Sequence, residues 1–133
     1  MLKTSDIRLT IAFTDPNLEA DEKDAEVARL LIQMRELKEV KTVSLVAAPD
    51  PIQSERILSQ FVVGTLVAEV FPEGIWIIFG FLRDQLLGKG ITLTLGMGER
   101  TLTVNAQTAP ELETALQSCE DFLVPLYDSQ AHN

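Results

Sequence analysis

At 133 residues the chain has the size of one domain, able to bury roughly two-thirds of the surface that its unfolded form exposes. Twenty acidic against eleven basic residues leave a net charge of −9, which repels phosphate backbones and anionic headgroups and sets nucleic-acid binding aside. One cysteine, Cys119, and one histidine, the penultimate His132, exclude an intramolecular disulfide, a cysteine-rich zinc site, a multi-histidine metal site and a His-dependent triad.

The first residues, Met-Leu-Lys-Thr-Ser-Asp, lack the apolar stretch of a signal peptide, so a cytoplasmic location is expected. Ile7, Leu9, Ile11 and Phe13 then alternate with Arg8, Thr10 and Ala12, the period-two pattern of a half-buried strand. Asp15-Pro16-Asn17 ends it. From Asp21 the period becomes helical. Val27, Leu30, Leu31, Met34 and Leu37 form one stripe, and Asp21, Glu22 and Asp24 place negative charge at the positive end of the helix dipole. Lys41–Ala47 reads as a second strand ending before Pro49-Asp50-Pro51. The two strands and the helix predict a β-α-β unit with parallel strands.

Near the other end, Ile91, Leu93 and Leu95 alternate with threonines, Gly96-Met97-Gly98-Glu99 turns the chain, and Leu102 and Val104 alternate with Thr101, Thr103 and Asn105. This predicts a β-hairpin. Its glycines, like Gly88 and Gly90, do not lie between a strand and a helix N-terminus, where a phosphate cradle needs them. Thr108, Pro110 and Glu111 have the spacing of a helix start with a capping box. Leu112, Ala115, Leu116, Cys119, Phe122 and Leu123 line one face of that helix, which makes Cys119 a core thiol. Residues 126–133 read as a flexible tail.

Between these readable thirds lies an apolar excess. Ile57, Leu58, Phe61, Val62, Val63, Leu66, Val67, Val70 and Phe71 cover most of a helix circumference from about Ser54, Pro72-Glu73-Gly74 interrupts, and Ile75–Leu87 continues. The segment Gly74–Phe79 has the β-branched and aromatic content of a strand, but its continuation Phe81–Leu87 reads as helix, and the helix is extended backward. A membrane span needs about twenty mostly apolar residues. The best window, Phe61–Leu82, holds Glu69, Pro72 and Glu73 near its centre, and each central carboxylate costs on the order of 2.5–3.5 kcal/mol. An interaction face is the better reading, because so many large apolar groups exceed one small core. Phe61, Val63, Trp76, Ile77, Phe79 and Phe81 are the candidate interface residues. Glu69 and Glu73, at i and i+4, are a weaker candidate acid pair for general acid–base work.

Four stretches also carry a resemblance: IRLTIAF, VKTVSLVAAPDP, FVVGTLVAEVFPEGIWIIFGFLRDQL and ITLTLGMGERTLTVNAQTAPELETALQSCEDFL. Together they span Ile7–Leu123, and the layout resembles the effector-associated constant component domains, small adaptors of bacterial NTP-dependent conflict systems. The shared features are hydrophobic patterns rather than catalytic residues. Where relatives have a glycine-rich segment after the second strand, this chain has Pro51-Ile52-Gln53-Ser54-Glu55. The resemblance implies a non-enzymatic component encoded near caspase-like or trypsin-like peptidase effectors, coupling a sensor or effector to its partners, and it carries over no catalytic residue. With the apolar excess, the expected function is an adaptor or self-assembling component with no cofactor or metal.

The expectation is therefore an α+β two-layer sandwich in the order β-α-β-α-α-β-β-α. It has about four strands with helices on one face, one domain over residues 1–125, and an apolar helical segment over 54–87. The expected partner is a peptidase-like effector or a second copy. The alternative is a conditionally membrane-active component whose apolar helical hairpin leaves the core on a signal.

Overall fold

A computed structural model describes residues 6–47 and 61–131, with side chains described as far as Val124. Its elements are β1 (Ile7–Phe13), α1 (Ala20–Arg35), β2 (Val40–Ala47), β3 (Phe61–Val70), a short 3-10 turn (Pro72–Gly74), α2 (Ile75–Leu86), β4 (Ile91–Met97), β5 (Arg100–Ala106) and α3 (Ala109–Ala131). The α+β class is as expected. Among the described residues, however, the sheet has five strands, in the order β2-β3-β1-β4-β5, and every neighbouring pair is antiparallel.

The extra strand comes from Phe61–Val70, which was expected to be helical. Its alternation is hidden for two reasons. Leu66, Ala68 and Val70 point into the core, but the intervening Val67 is apolar too, and Phe61, Val62 and Val63 run on beyond the pairing with β1, which ends at Thr65. An uninterrupted apolar run carries no period, and only its valine content argues for a strand. The expected start near Ser54 lies outside the described residues. The expected tail also differs: α3 continues to Ala131.

Inserting β3 reorganises the first β-α-β unit. β1 and β2 do run parallel, but each is bonded to β3, which lies antiparallel between them. In the same way β3 and β4 run parallel on either side of β1, joined through α2. Two interlocked β-α-β units make a split β-α-β plait of the ferredoxin-like kind, extended at one side by β5 and α3.

The plait has one covered face. Ile7, Leu9, Ile11 and Phe13 of β1, with Ile91, Leu93 and Leu95 of β4, are buried beneath helices that contribute Val27, Leu30, Met34, Ile78, Leu82, Leu116 and Cys119. Register places Arg8, Thr10 and Ala12 opposite Glu69, Val67 and Thr65 on one side and Gly96, Thr94 and Thr92 on the other. These build a polar, threonine-rich open face. Thr92 Oγ1 meets Asn105 Oδ1 at 2.6 Å there, and the Thr94 and Thr103 hydroxyls lie 3.2 Å apart.

Local chemistry sets the helix starts. In α1 the Glu19 amide donates to Glu22 Oε1 at 2.7 Å. Before α3, the Glu111 amide donates to Thr108 Oγ1 at 3.3 Å, as the capping-box spacing predicts, while Glu111 Oε1 accepts from the Gln107 amide at 2.7 Å. The acidic side chain thus reaches one residue further back than the motif requires.

Candidate interaction surfaces

Helix α2 divides its apolar residues in two. Ile75, Ile78, Phe79, Leu82 and Leu86 are buried at the 3-to-4-residue spacing of one face. Trp76 is 42 % and Ile77 57 % exposed, and Phe81 packs half-buried against the core. Phe79, only 1 % exposed, belongs to the core and corrects its expected place in an interface. Its ring meets Trp76 edge-on at 5.7 Å between centroids, so the core residue supports the surface one.

Phe61, Val62 and Val63 form a separate exposed tip on β3, between 38 and 46 % open. The two patches do not meet. Phe61 pairs with Ala47 at one end of the sheet, whereas Val70, the last residue before the turn into α2, pairs with Val40 and Ile7 at the other. At about 3.3 Å per residue, the length of β3 separates the ends by roughly 30 Å. The candidate interface residues thus resolve into Phe61 with Val63 at one pole, Trp76 with Ile77 at the other, Phe81 half-buried, and Phe79 inside. Beside Ile77 a shallow cavity of about 230 Å³ is lined by Lys38, Glu39, Phe71 and Glu73.

Other exposed apolar groups were not singled out from the pattern: Ile32 at 60 %, Leu87 at 53 % and Val124 at 42 %. Ile32 could have been found, since it falls off the buried stripe of α1. Leu87 could not, because only the ending of α2 at Leu86 removes it from a helical face.

A kink sets off the β3 tip. Gly64 has φ +58°, and a Cβ there would lie 2.8 Å from Lys23 Cβ. Its amide donates to Asp24 Oδ1 at 2.7 Å. A left-handed residue within a strand is the geometry of a glycine bulge, and here α1 holds it in place.

Ion pairs tie α2 and the residues after it to the other two helices. Arg83 of α2 reaches Glu113 at 3.1 Å and Glu120 at 3.9 Å on α3. Lys89, just past α2, donates to Glu26 of α1 at 2.7 Å. That hydrogen bond, helped by the charges of Lys89 and Arg29, outweighs desolvation and holds the Glu26 carboxyl below its ordinary value.

The proposed acid pair does not form on a helix turn. Glu69 lies in β3 and faces Arg8 across the open sheet at 3.7 Å, whereas Glu73 is exposed in the 3-10 turn. Cys119 is buried on α3, and burial, with a smaller contribution from Glu120, pushes its thiol up to about 12. Such a thiol holds almost no thiolate near neutrality. His132 lies outside the described residues. Among the described residues, no group of three or more His, Cys, Asp or Glu could hold a metal ion, and no helix is long and apolar enough to cross a membrane.

No family model matches the chain, and no curated protein or solved structure matches it either.

Proposed function

We propose that this chain is a non-enzymatic adaptor that joins two protein partners through its two apolar poles. The observation that supports the reading is the placement of Phe61-Val62-Val63 at one end of β3 and of Trp76-Ile77, in the helix that follows, beyond its other end. A single continuous patch would suit one partner. Two patches roughly 30 Å apart along β3 let one small domain touch two proteins that need not touch each other. Aromatic side chains are enriched at the cores of protein interfaces, and each pole exposes one, Phe61 or Trp76.

The resemblance to effector-associated constant component domains supplies the partner class. On that reading one pole holds a caspase-like or trypsin-like peptidase effector and the other holds a sensor or a further copy, in a cytoplasmic defence pathway. The membrane-active alternative loses its device, since the expected helical hairpin is β3 followed by α2. At twelve residues, α2 is about 18 Å long against a hydrocarbon core of about 30 Å.

Co-purification with a caspase-like or trypsin-like peptidase, the partner class that the resemblance implies, tests the proposal. The double variant Trp76→Glu, Ile77→Glu should weaken capture at least tenfold while circular dichroism and melting change little. The variant Phe61→Glu, Val63→Glu should leave that capture intact and abolish binding at the other pole. Peptidase binding untouched by either pair, or no binding by the unmodified chain, overturns the reading.

A further inference from the structure

The two edges of the sheet are built differently. Along β2 the register against β3 shifts twice, between Val40 and Thr42 and between Leu45 and Ala47, and Lys41 sits on the strand. Bulges and lysines are the usual devices that stop an edge from pairing with another chain. On the opposite side, β5 pairs with β4 in seven consecutive steps from Arg100↔Met97 to Ala106↔Ile91, without a shift. Its inner five residues, Thr101-Leu102-Thr103-Val104-Asn105, contain neither charge nor proline. Nothing on β5 itself blunts this edge.

The turn fixes which backbone groups face outward. Gly98-Glu99 is a two-residue loop with Gly98 at φ +63°, the position that a type II′ turn gives to glycine. The closing pair Met97–Arg100 of such a hairpin exchanges both hydrogen bonds, and bonded and non-bonded pairs then alternate. Arg100, Leu102, Val104 and Ala106 therefore turn their amides and carbonyls toward β4. Thr101, Thr103 and Asn105 turn theirs to the free edge.

We infer that β5 is a self-association edge, pairing antiparallel with β5 of a second copy about a two-fold axis through Thr103. The register is self-complementary. Thr103 meets Thr103 and Thr101 meets Asn105, so the outward-facing residues coincide with the pairs that exchange hydrogen bonds. Leu102 then opposes Val104 in the closer, non-bonded pairs on the helix side, where both are only partly covered within one copy. Shifting the register by one residue would set outward groups against inward-turned ones and lose the bonding.

Charge and shape agree with this occupant. Arg100 lies over the Phe122 ring at 5.7 Å, and in the two-fold arrangement it faces the far end of the other β5. Glu111 stands there, bonded to the amide of Gln107. Symmetry makes that attraction twice, while Glu99, in the turn beside Arg100, is the other charge at that end of the edge. Beside β5, a groove of about 440 Å³ runs between Val104 and the small α3 side chains Thr114, Ala115 and Ser118. It borders the edge at which the second copy would pair.

Analytical ultracentrifugation with amide hydrogen exchange tests the pairing on the full chain. A species of twice 14.7 kDa is expected at micromolar concentration, with the amides of Thr101, Thr103 and Asn105 protected in the dimer and exchanging fast on dilution. Thr103→Pro removes the central donor without touching the ladder to β4, and Thr103→Lys puts like charges beside the axis. Each should weaken association at least tenfold, and the lysine variant covers the case in which the proline variant does not fold. A monomer at millimolar concentration overturns the inference. So does a dimer that resists both variants, or one dissolved instead by Trp76→Glu, Ile77→Glu. Protection of the three amides only when a different protein is added also overturns it, and assigns the edge to a foreign strand.

Discussion

Phe61–Val70 and Ile75–Leu86 adjoin in the chain, are alike in length, and are both dominated by apolar residues, yet one is a strand and the other a helix. They also divide their surfaces differently. β3 is bonded on both sides, by β1 and β2, and exposes apolar groups only where it outruns β1. Helix α2 lies on the sheet with one face buried and exposes Trp76 and Ile77 on its first turn. Segments of similar composition thus reach solvent for different reasons, the strand by overhang and the helix by its girth.

Substitutions sharpen the contrast. The largest effect is expected at Phe79, whose ring is buried in α2 beside the exposed Trp76. Phe79→Ala should cost about 3–5 kcal/mol in urea unfolding, the usual range for an emptied aromatic core site, and Trp76→Ala clearly less. An equal cost at both positions would erase the distinction between core and surface on this helix.

The same substitution in the two segments should then have opposite signs. Gly64→Ala forces a side chain into a left-handed conformation against Lys23 and should destabilise by about 1–3 kcal/mol. At Gly80, in α2, a Cβ meets nothing within 4 Å. Gly80→Ala should therefore stabilise by about 0.5–1 kcal/mol, as removal of a helix glycine does. Thermal and urea unfolding of the two variants decide the matter together.

The smallest effect belongs to the tether at the end of α2. Glu26→Gln removes the charge that holds Lys89 and should cost about 0.5 kcal/mol near neutral pH. Because the folded carboxyl sits below its ordinary value of 4.5, that contribution is present in full above 4.5. It disappears as pH falls through the lowered folded value. Urea midpoints of the two proteins should therefore converge in acid. A gap that persists there would mean that the effect is one of packing and not of charge.

Much of this architecture was legible because its periods were clean. β1 and the β4–β5 hairpin alternate strictly, with Arg8 and the threonines of β4 marking the solvent side. The α1 stripe and the Thr108–Glu111 start of α3 are local signals that need no tertiary partner. What failed was the reading of Phe61–Val70, where a strand bonded on both sides carried an apolar residue on the open face as well as in the core. The candidate surface was legible only as composition. Six residues were expected to form one face; burial removed Phe79, left Phe81 half-covered, and set Phe61 with Val63 far from Trp76 with Ile77.

By itself, then, the sequence determined the acidic, cysteine-poor character of the chain and, among the described residues, four of the strands, the three helices α1, α2 and α3, and most of their faces. Those properties follow from residue type and local spacing. Tertiary structure decided that β3 enters between β1 and β2, which apolar groups remain outside, and that one sheet edge is broken while the other is left regular. Such choices depend on which strand finds which neighbour, and pairing between distant segments leaves no period in the chain.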